Sequence, residues 1–213
     1  MRKRKNIITV AIDSPAAAGA GTQAKFIARE YNLLYLDTGK IYRYIGKLKL
    51  ENNQKFNYIF IKKKISKLNL NKLNERNLLT DKVATSASII AKDKRIRNLV
   101  RSFQHQCAYN PPKKFAGSIL DGRDITSVIM KDAMFKFFIT ANLKVRAKRR
   151  FLEYKRFNKK ISYFEVEKSL KKRDYLDKNR LYSPLKKTKD SILINTSKLS
   201  KKACFIKIKA IMD

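Results

Sequence analysis

Metal-binding side chains are scarce in this chain of 213 residues, which has two cysteines and a single histidine. Cys107 and Cys204 lie far apart, form no C-x-x-C pair and have only His105 nearby, so no zinc site can be assembled with normal spacing. Two isolated thiols fit a reducing cytosol, where both stay free and buried. Long apolar runs are missing as well. The basic start over residues 1–5 and the apolar run behind it have the outline of a signal peptide, but the run ends at Asp13 and is too short for one. No later stretch is long enough to span a bilayer. The expectation is a cytoplasmic protein with no membrane segment. No internal repeat is present.

Acidic residues are few: 17 against 51 lysines and arginines, a formal net charge of +34. Such a field attracts polyanions, whether nucleic acid, acidic membrane surfaces or nucleotide phosphates. The lysines are spread along the whole length and accompanied by many Ile and Asn residues. Compositional drift plus a nucleotide site explains that pattern more simply than a dedicated nucleic-acid surface, with weak salt-sensitive nucleic-acid binding as an incidental consequence. The hydrophobic share of 44% and the length suit one folded domain over residues 1–213.

One stretch organises the rest. Residues 7–12 form a short, β-branched apolar run that stops at Asp13 and gives way to small residues, Ser14 to Thr22, before a helix-prone segment to Tyr31. A strand covered on both faces has this composition. A small-residue turn into a helix N-terminus is how phosphate-cradling loops are built, because backbone N–H groups and the helix dipole face the anion. The match to G-x-x-x-x-G-K-[ST] is poor, since Ser14 stands at the first glycine and Ala20 at the lysine while Gly19 is in place. Read alone, the loop fits a turn without a ligand equally well.

Further strands are expected at 33–36, 116–120, 135–140 and 191–195, and an extended patch at 58–61. Helices are expected at about 40–50, 81–91, 94–108, 143–157, 165–176 and 200–212, with Asn110-Pro111-Pro112 stopping the third. Strands alternating with helices imply an α/β fold: a parallel sheet of about five strands, helices on both faces. Asp13, Asp37 and Asp121 to Asp124 gather just after strand ends, the edge where ligands bind in such sheets.

Four segments then resemble one family, the bacterial cytidylate (CMP) kinases. Ile12 to Ala16 with Gly19 to Thr22 is similar to their I-D-G-P-x-G-x-G-K-G-T loop, and Leu34 to Gly39 with Ile41-Tyr42-Arg43 to Y-L-D-[ST]-G-x-x-Y-R. Asp121-Gly122-Arg123-Asp124 resembles D-G-R-D, and Arg173 to Arg180 with Pro184-Leu185 resembles R-D-x-x-D-x-x-R-x-x-x-P-L. The four stand in family order at family spacing and cover most of the chain. The resemblance implies a P-loop kinase fold with a shortened NMP-binding insertion at about 51–80 and a lid at about 155–166. It implies ATP and Mg²⁺, nucleotide substrates and a monomer.

Residue by residue, the resemblance implies that Ser14, Pro15, Ala16, Ala17, Ala18, Gly19, Ala20, Gly21 and Thr22 surround the ATP phosphates. Arg43, Arg123 and Arg180 would hold the acceptor phosphate with the Thr38 hydroxyl. Ser88, Arg97 and Asp124 would face the cytosine edge, and Arg173 and Asp177 the ribose or phosphate. Arg149, Arg150 and Arg156 are lid candidates. Asp13 and Asp121 either reach the magnesium through water or brace the loop.

The departure at Ala20 removes the lysine that bridges the donor's terminal phosphates, a loss of roughly 3–4 kcal/mol, or about 10²–10³ in rate, by analogy with other preorganised donors. Ser14 and Ala17 replace glycines, at a cost of about 1–2 kcal/mol wherever φ is positive. Three functions stay open: a cytidylate kinase, impaired or not; a non-catalytic nucleotide-binding relic; and a basic nucleic-acid-binding protein. Turnover separates the first two, and salt-dependent RNA binding marks the third.

Overall fold

The structure, a computed structural model, describes residues 6–156 and 160–213. Five parallel strands, β1 (Ile8–Asp13), β2 (Leu33–Asp37), β3 (Gly117–Gly122), β4 (Phe135–Thr140) and β5 (Ile192–Asn195), lie in the order β2-β3-β1-β4-β5. The organising stretch is therefore the central strand, and its two faces explain its unbroken apolar run. One apolar cluster holds Ala11, Leu36 and Leu120 with helices from the middle of the chain, and another holds Val10, Ile12, Ile119 and Phe137 with the first and last helices. The connection from β1 runs to β2 on one side of it and the connection from β3 crosses to β4 on the other, so a crevice opens at the C-terminal end of β1, the edge that Asp13 ends.

The helices are α1 (Ala20–Glu30), α2 (Thr38–Glu51), α3 (Tyr58–Ser66), α4 (Asp81–Ile90), α5 (Lys94–Tyr109), α6 (Leu143–Arg156), α7 (Tyr163–Asn179) and α8 (Lys201–Met212). The patch at 58–61, expected to be extended, is instead the first turn of α3. Asn57 caps it by accepting the Phe60 N–H at 2.9 Å, and Ile61 and Ile65, one turn apart, are both buried. A short β-branched run does not reveal its period, and the helical spacing of the two isoleucines with the cap decides it. Gly46 lets α2 and α4 meet backbone to backbone; a methyl group there would come within 2.9 Å of the Ala87 nitrogen.

The expected lid at about 155–166 falls partly on residues 157–159, outside the described residues, and its remainder contains the start of α7. Among the described residues no helix is long and apolar enough to cross a membrane. Cys107 and Cys204 are free and buried, and burial pushes the Cys107 thiol up to about 12.

Candidate active site

The turn from β1 into α1 is small because it must be. Gly19, the residue before α1, sits at φ 95°, and no side chain caps the helix. The positive end of α1 is thus left open to an anion, with no acidic residue in its first turn. Ala17 also adopts a left-handed conformation, at φ 60°, whereas Ser14 does not and donates its N–H to Gly122 O at 3.2 Å. The cost of the missing glycines therefore falls on Ala17. Ala17→Gly is expected to stabilise the fold by about 1 kcal/mol; urea denaturation checks it, and an unchanged midpoint contradicts it.

Two arginines of α6 fasten this loop. The Arg146 guanidinium donates to Ala16 O at 3.1 Å and Ala141 O at 2.8 Å, and forks onto Asp174 at 3.1 and 2.6 Å. Arg149 donates to Thr196 Oγ1 at 2.8 Å and Thr196 O at 2.7 Å, beside Ala18 O, which also accepts from the Thr196 hydroxyl. Of the three lid candidates, Arg149 is therefore tethered between the loop and the segment after β5. Arg150 pairs with Glu153 and stands near enough to Arg173 for its charge to be felt there, while exposed Arg156 ends α6. The role of Arg146 and Asp174 escaped sequence reading, although both lie in segments it singled out.

Asp13 is fully buried, and its carboxylate accepts from the N–H groups of Ile125 and Thr126 at 2.7 and 2.9 Å and from the Thr126 hydroxyl at 2.6 Å. These bonds join β1 to the π-helical turn Ile125–Ile129. Burial outweighs these bonds and pushes the carboxyl from 3.8 up to about 6. The folded chain then keeps a proton here that the unfolded chain releases, so this group's share of stability falls as pH rises from about 4 to 6. Asp13→Asn is expected to flatten that part of the melting-temperature profile; an unaltered slope contradicts it.

Asp121, half-buried, faces a different neighbourhood. Burial and the neighbouring Asp37 hold its carboxyl well above the usual range, against the pull of Arg123 and Lys25. Tyr35 Oη donates to it at 3.4 Å, and the methyl group a residue larger than glycine would place at position 21 lies 3.3 Å from it. Among the described residues no three His, Cys, Asp or Glu side chains gather into a metal centre. The Asp37–Asp121 pair by the loop, with too little positive charge of its own, is chemically suited to a cation arriving with a phosphate.

Beyond it, β3 and α7 deliver a charge network. Arg97 Nη2 lies 2.5 Å from Asp124 Oδ2, both side chains 7% exposed, and the guanidinium rests over the Tyr42 ring. Arg123 Nε lies 2.7 Å from Asp177 Oδ2, while Arg173 and Arg180 reach Asp177 at 4.0 and 3.9 Å. Arg180 donates from Nε to Ser183 O at 2.5 Å and comes within 3.8 Å of Asp124 through Nη2. That buried Nη2 has no hydrogen-bond acceptor among the described residues. Arg43 donates to Leu78 O at 3.0 Å, and Thr38 Oγ1 to Asp121 O at 2.8 Å.

So Arg97, Asp124, Arg123, Asp177, Arg173 and Arg180 come together, with Arg43 and Thr38 beside them. Ser88 stays with its own helix, its hydroxyl donating to Ala84 O at 3.1 Å. Burial, then the like charges of Arg123, Arg43 and Arg150 against the opposing Asp177, bring the Arg173 guanidinium down to about 10. The side chain is still 36% exposed, so water tempers this crowding without changing its direction.

The sequence model of the family described as Cytidylate kinase matches residues 10–212. A cytidylate kinase of Clostridium botulinum is 39% identical over 202 residues, covering 89% of this chain and 90% of that protein. The chain belongs to the cytidylate kinase family. A cytidylate kinase of Fusobacterium nucleatum is 37% identical over 204 residues, 91% of each chain. In fold, the chain is similar to a solved protein of Eubacterium ventriosum, with a TM-score of 0.56, 19% identity and coverage of 97% of this chain and 99% of that one. This family member is thus a nucleoside monophosphate kinase by descent, a phosphotransferase that handles pyrimidine nucleotides. Within it, Ala20 stands where the loop pattern carries lysine.

Proposed function

We propose that the chain transfers the terminal phosphoryl group of ATP to CMP or dCMP, giving ADP and CDP or dCDP. The observation that carries this reading is the gathering of Arg123, Arg173 and Arg180 around Asp177, where the like charges of Arg123, Arg43 and Arg150 add to the burial that depresses Arg173. A phosphate dianion relieves that repulsion. Guanidinium groups fork onto phosphate oxygens and stay charged, and phosphoryl transfer asks little of a protein beyond positioning and charge neutralisation.

In this reading Arg43, Arg123 and Arg180 hold the acceptor phosphate, and the unmatched Arg180 Nη2 finds its acceptor on the nucleotide. Asp124, held by Arg97, accepts from the exocyclic amino group of cytosine, which uracil lacks. Arg173 and Asp177 contact the ribose or phosphate. The segment from Ser14 to Thr22 surrounds the donor phosphates at the open end of α1. Thr22 and, through water, Asp121 suit the magnesium ion, which when bound neutralises charge on the phosphate oxygens. Residues 51–80 serve as the NMP-binding insertion and about 155–166 as the lid.

A second reading, a non-catalytic nucleotide-binding relic, is favoured by Ala20 alone. Coupled measurement of ADP formation with CMP, ATP and magnesium decides between them. Turnover that depends on CMP supports the kinase. Absence of turnover, with CMP still raising the melting temperature, supports the relic.

A further inference from the structure

The helix α7 has two faces of different character. Val166, Leu170, Arg173, Asp174 and Asp177 point inward, toward the loop and the charge network. On the opposite face Phe164, Lys168, Lys171, Tyr175 and Lys178 follow at spacings of four, three, four and three, one stripe along the helix, with Lys172 at its margin. Phe164 is 73% and Tyr175 67% exposed. The eleven residue steps from one to the other span about 16 Å at ~1.5 Å per residue. No carboxylate falls in the stripe, and Glu165 is folded back onto Ser162. The stripe ends at a cleft of about 380 Å³ lined by Lys92, Tyr175, Leu181 and Tyr182 and bordered by Arg180 of the charge network, with Lys94 lying 5.1 Å over the Tyr182 ring.

We infer that this outer face of α7 is a track for single-stranded nucleic acid, with a terminal base lodged in the cleft by Tyr175 and Tyr182. Two exposed rings set among ammonium groups match a strand whose bases stack and whose phosphates are neutralised beside them. A duplex offers phosphates but hides its base faces, so it uses the lysines and not the rings. An anionic membrane favours an apolar face segregated from the charged one, and here rings and lysines share one face. The α8 surface carries exposed lysines, Lys202 and Lys207, while its own ring, Phe205, is half-buried edge-on against Phe26, and so provides a comparison chiefly in charge.

The test is fluorescence anisotropy of a labelled oligouridylate of about 12 nucleotides with the full chain. Potassium chloride at about 150 mM limits the Debye length to about 8 Å, suppressing diffuse attraction. Phe164→Ala/Tyr175→Ala, which leaves net charge unchanged, is expected to weaken binding by about tenfold or more. Lys202→Gln/Lys207→Gln is expected to weaken it less than about threefold. Should the double aromatic variant lose its thermal transition, Tyr182→Ala alone carries the test, with an expected loss of about threefold or more. Undiminished binding by the aromatic variants overturns the inference. Equal affinity for a duplex of the same length also overturns it, as does a Phe164- and Tyr175-dependent affinity for phosphatidylserine vesicles with none for the oligonucleotide.

Discussion

Ala20→Lys is expected to raise the rate of ADP formation with CMP by about 10²–10³, the scale set by one preorganised donor to a transition-state charge. The structure leaves room for that gain because the cations nearest the loop are already committed. Arg146 is bonded to Asp174 and to the loop's own Ala16 carbonyl, and Arg149 to both oxygens of Thr196. Lys25 lies on α1 beyond the first turn, and its charge is felt by Asp121. Among the described residues, none of Arg146, Arg149 and Lys25 stands free to replace the ammonium that the loop pattern places at the first position of α1. A steady-state assay beside Ala20→Met, which adds length without charge, measures the effect. If lysine and methionine give the same rate as the parent, another cation reaches the transferred phosphoryl group and the loop position is dispensable.

The second large effect is expected at the Arg97–Asp124 pair, whose side chains are each 7% exposed. Asp124→Ala leaves two guanidinium groups, those of Arg97 and Arg180, facing a site that has lost its carboxylate. Breaking a buried pair from one side costs about 3–5 kcal/mol, a fall in melting temperature of roughly 6–20 °C for a chain of this size. If Asp124 accepts from the cytosine amino group as proposed, the apparent affinity for CMP falls as well. Adding Arg97→Ala removes one stranded charge and should restore part of the stability, which a double-mutant cycle reads directly. A single Asp124→Ala variant within about 1 kcal/mol of the parent contradicts this account.

Much of the fold was legible in the residues. The two-sided burial of β1 is written in its unbroken apolar run, and the aspartates that end β1, β2 and β3 mark the sheet edge where the site forms. The helix α3 was not legible as such, because Tyr58 to Ile61 is too short to show a period and only its burial of Ile61 and Ile65 settles it. Ser88 illustrates a different limit: a matching position does not say which way a hydroxyl turns, and here it bonds its own helix.

The sequence by itself determined the alternation of strands and helices apart from α3, the small-residue loop with its lysine missing, and the family. Each of these rests on short-range pattern: hydrophobic run length, small residues at a turn, motifs in register. Only the tertiary structure decided which charges work inward. With 51 basic residues against 17 acidic ones, no pattern separates Arg146, locked to Asp174 28 residues away, from Arg156 at the open end of the same helix. Burial and the arrival of a carboxylate from another element make that distinction, because a guanidinium taken out of water is held only where its hydrogen bonds are met.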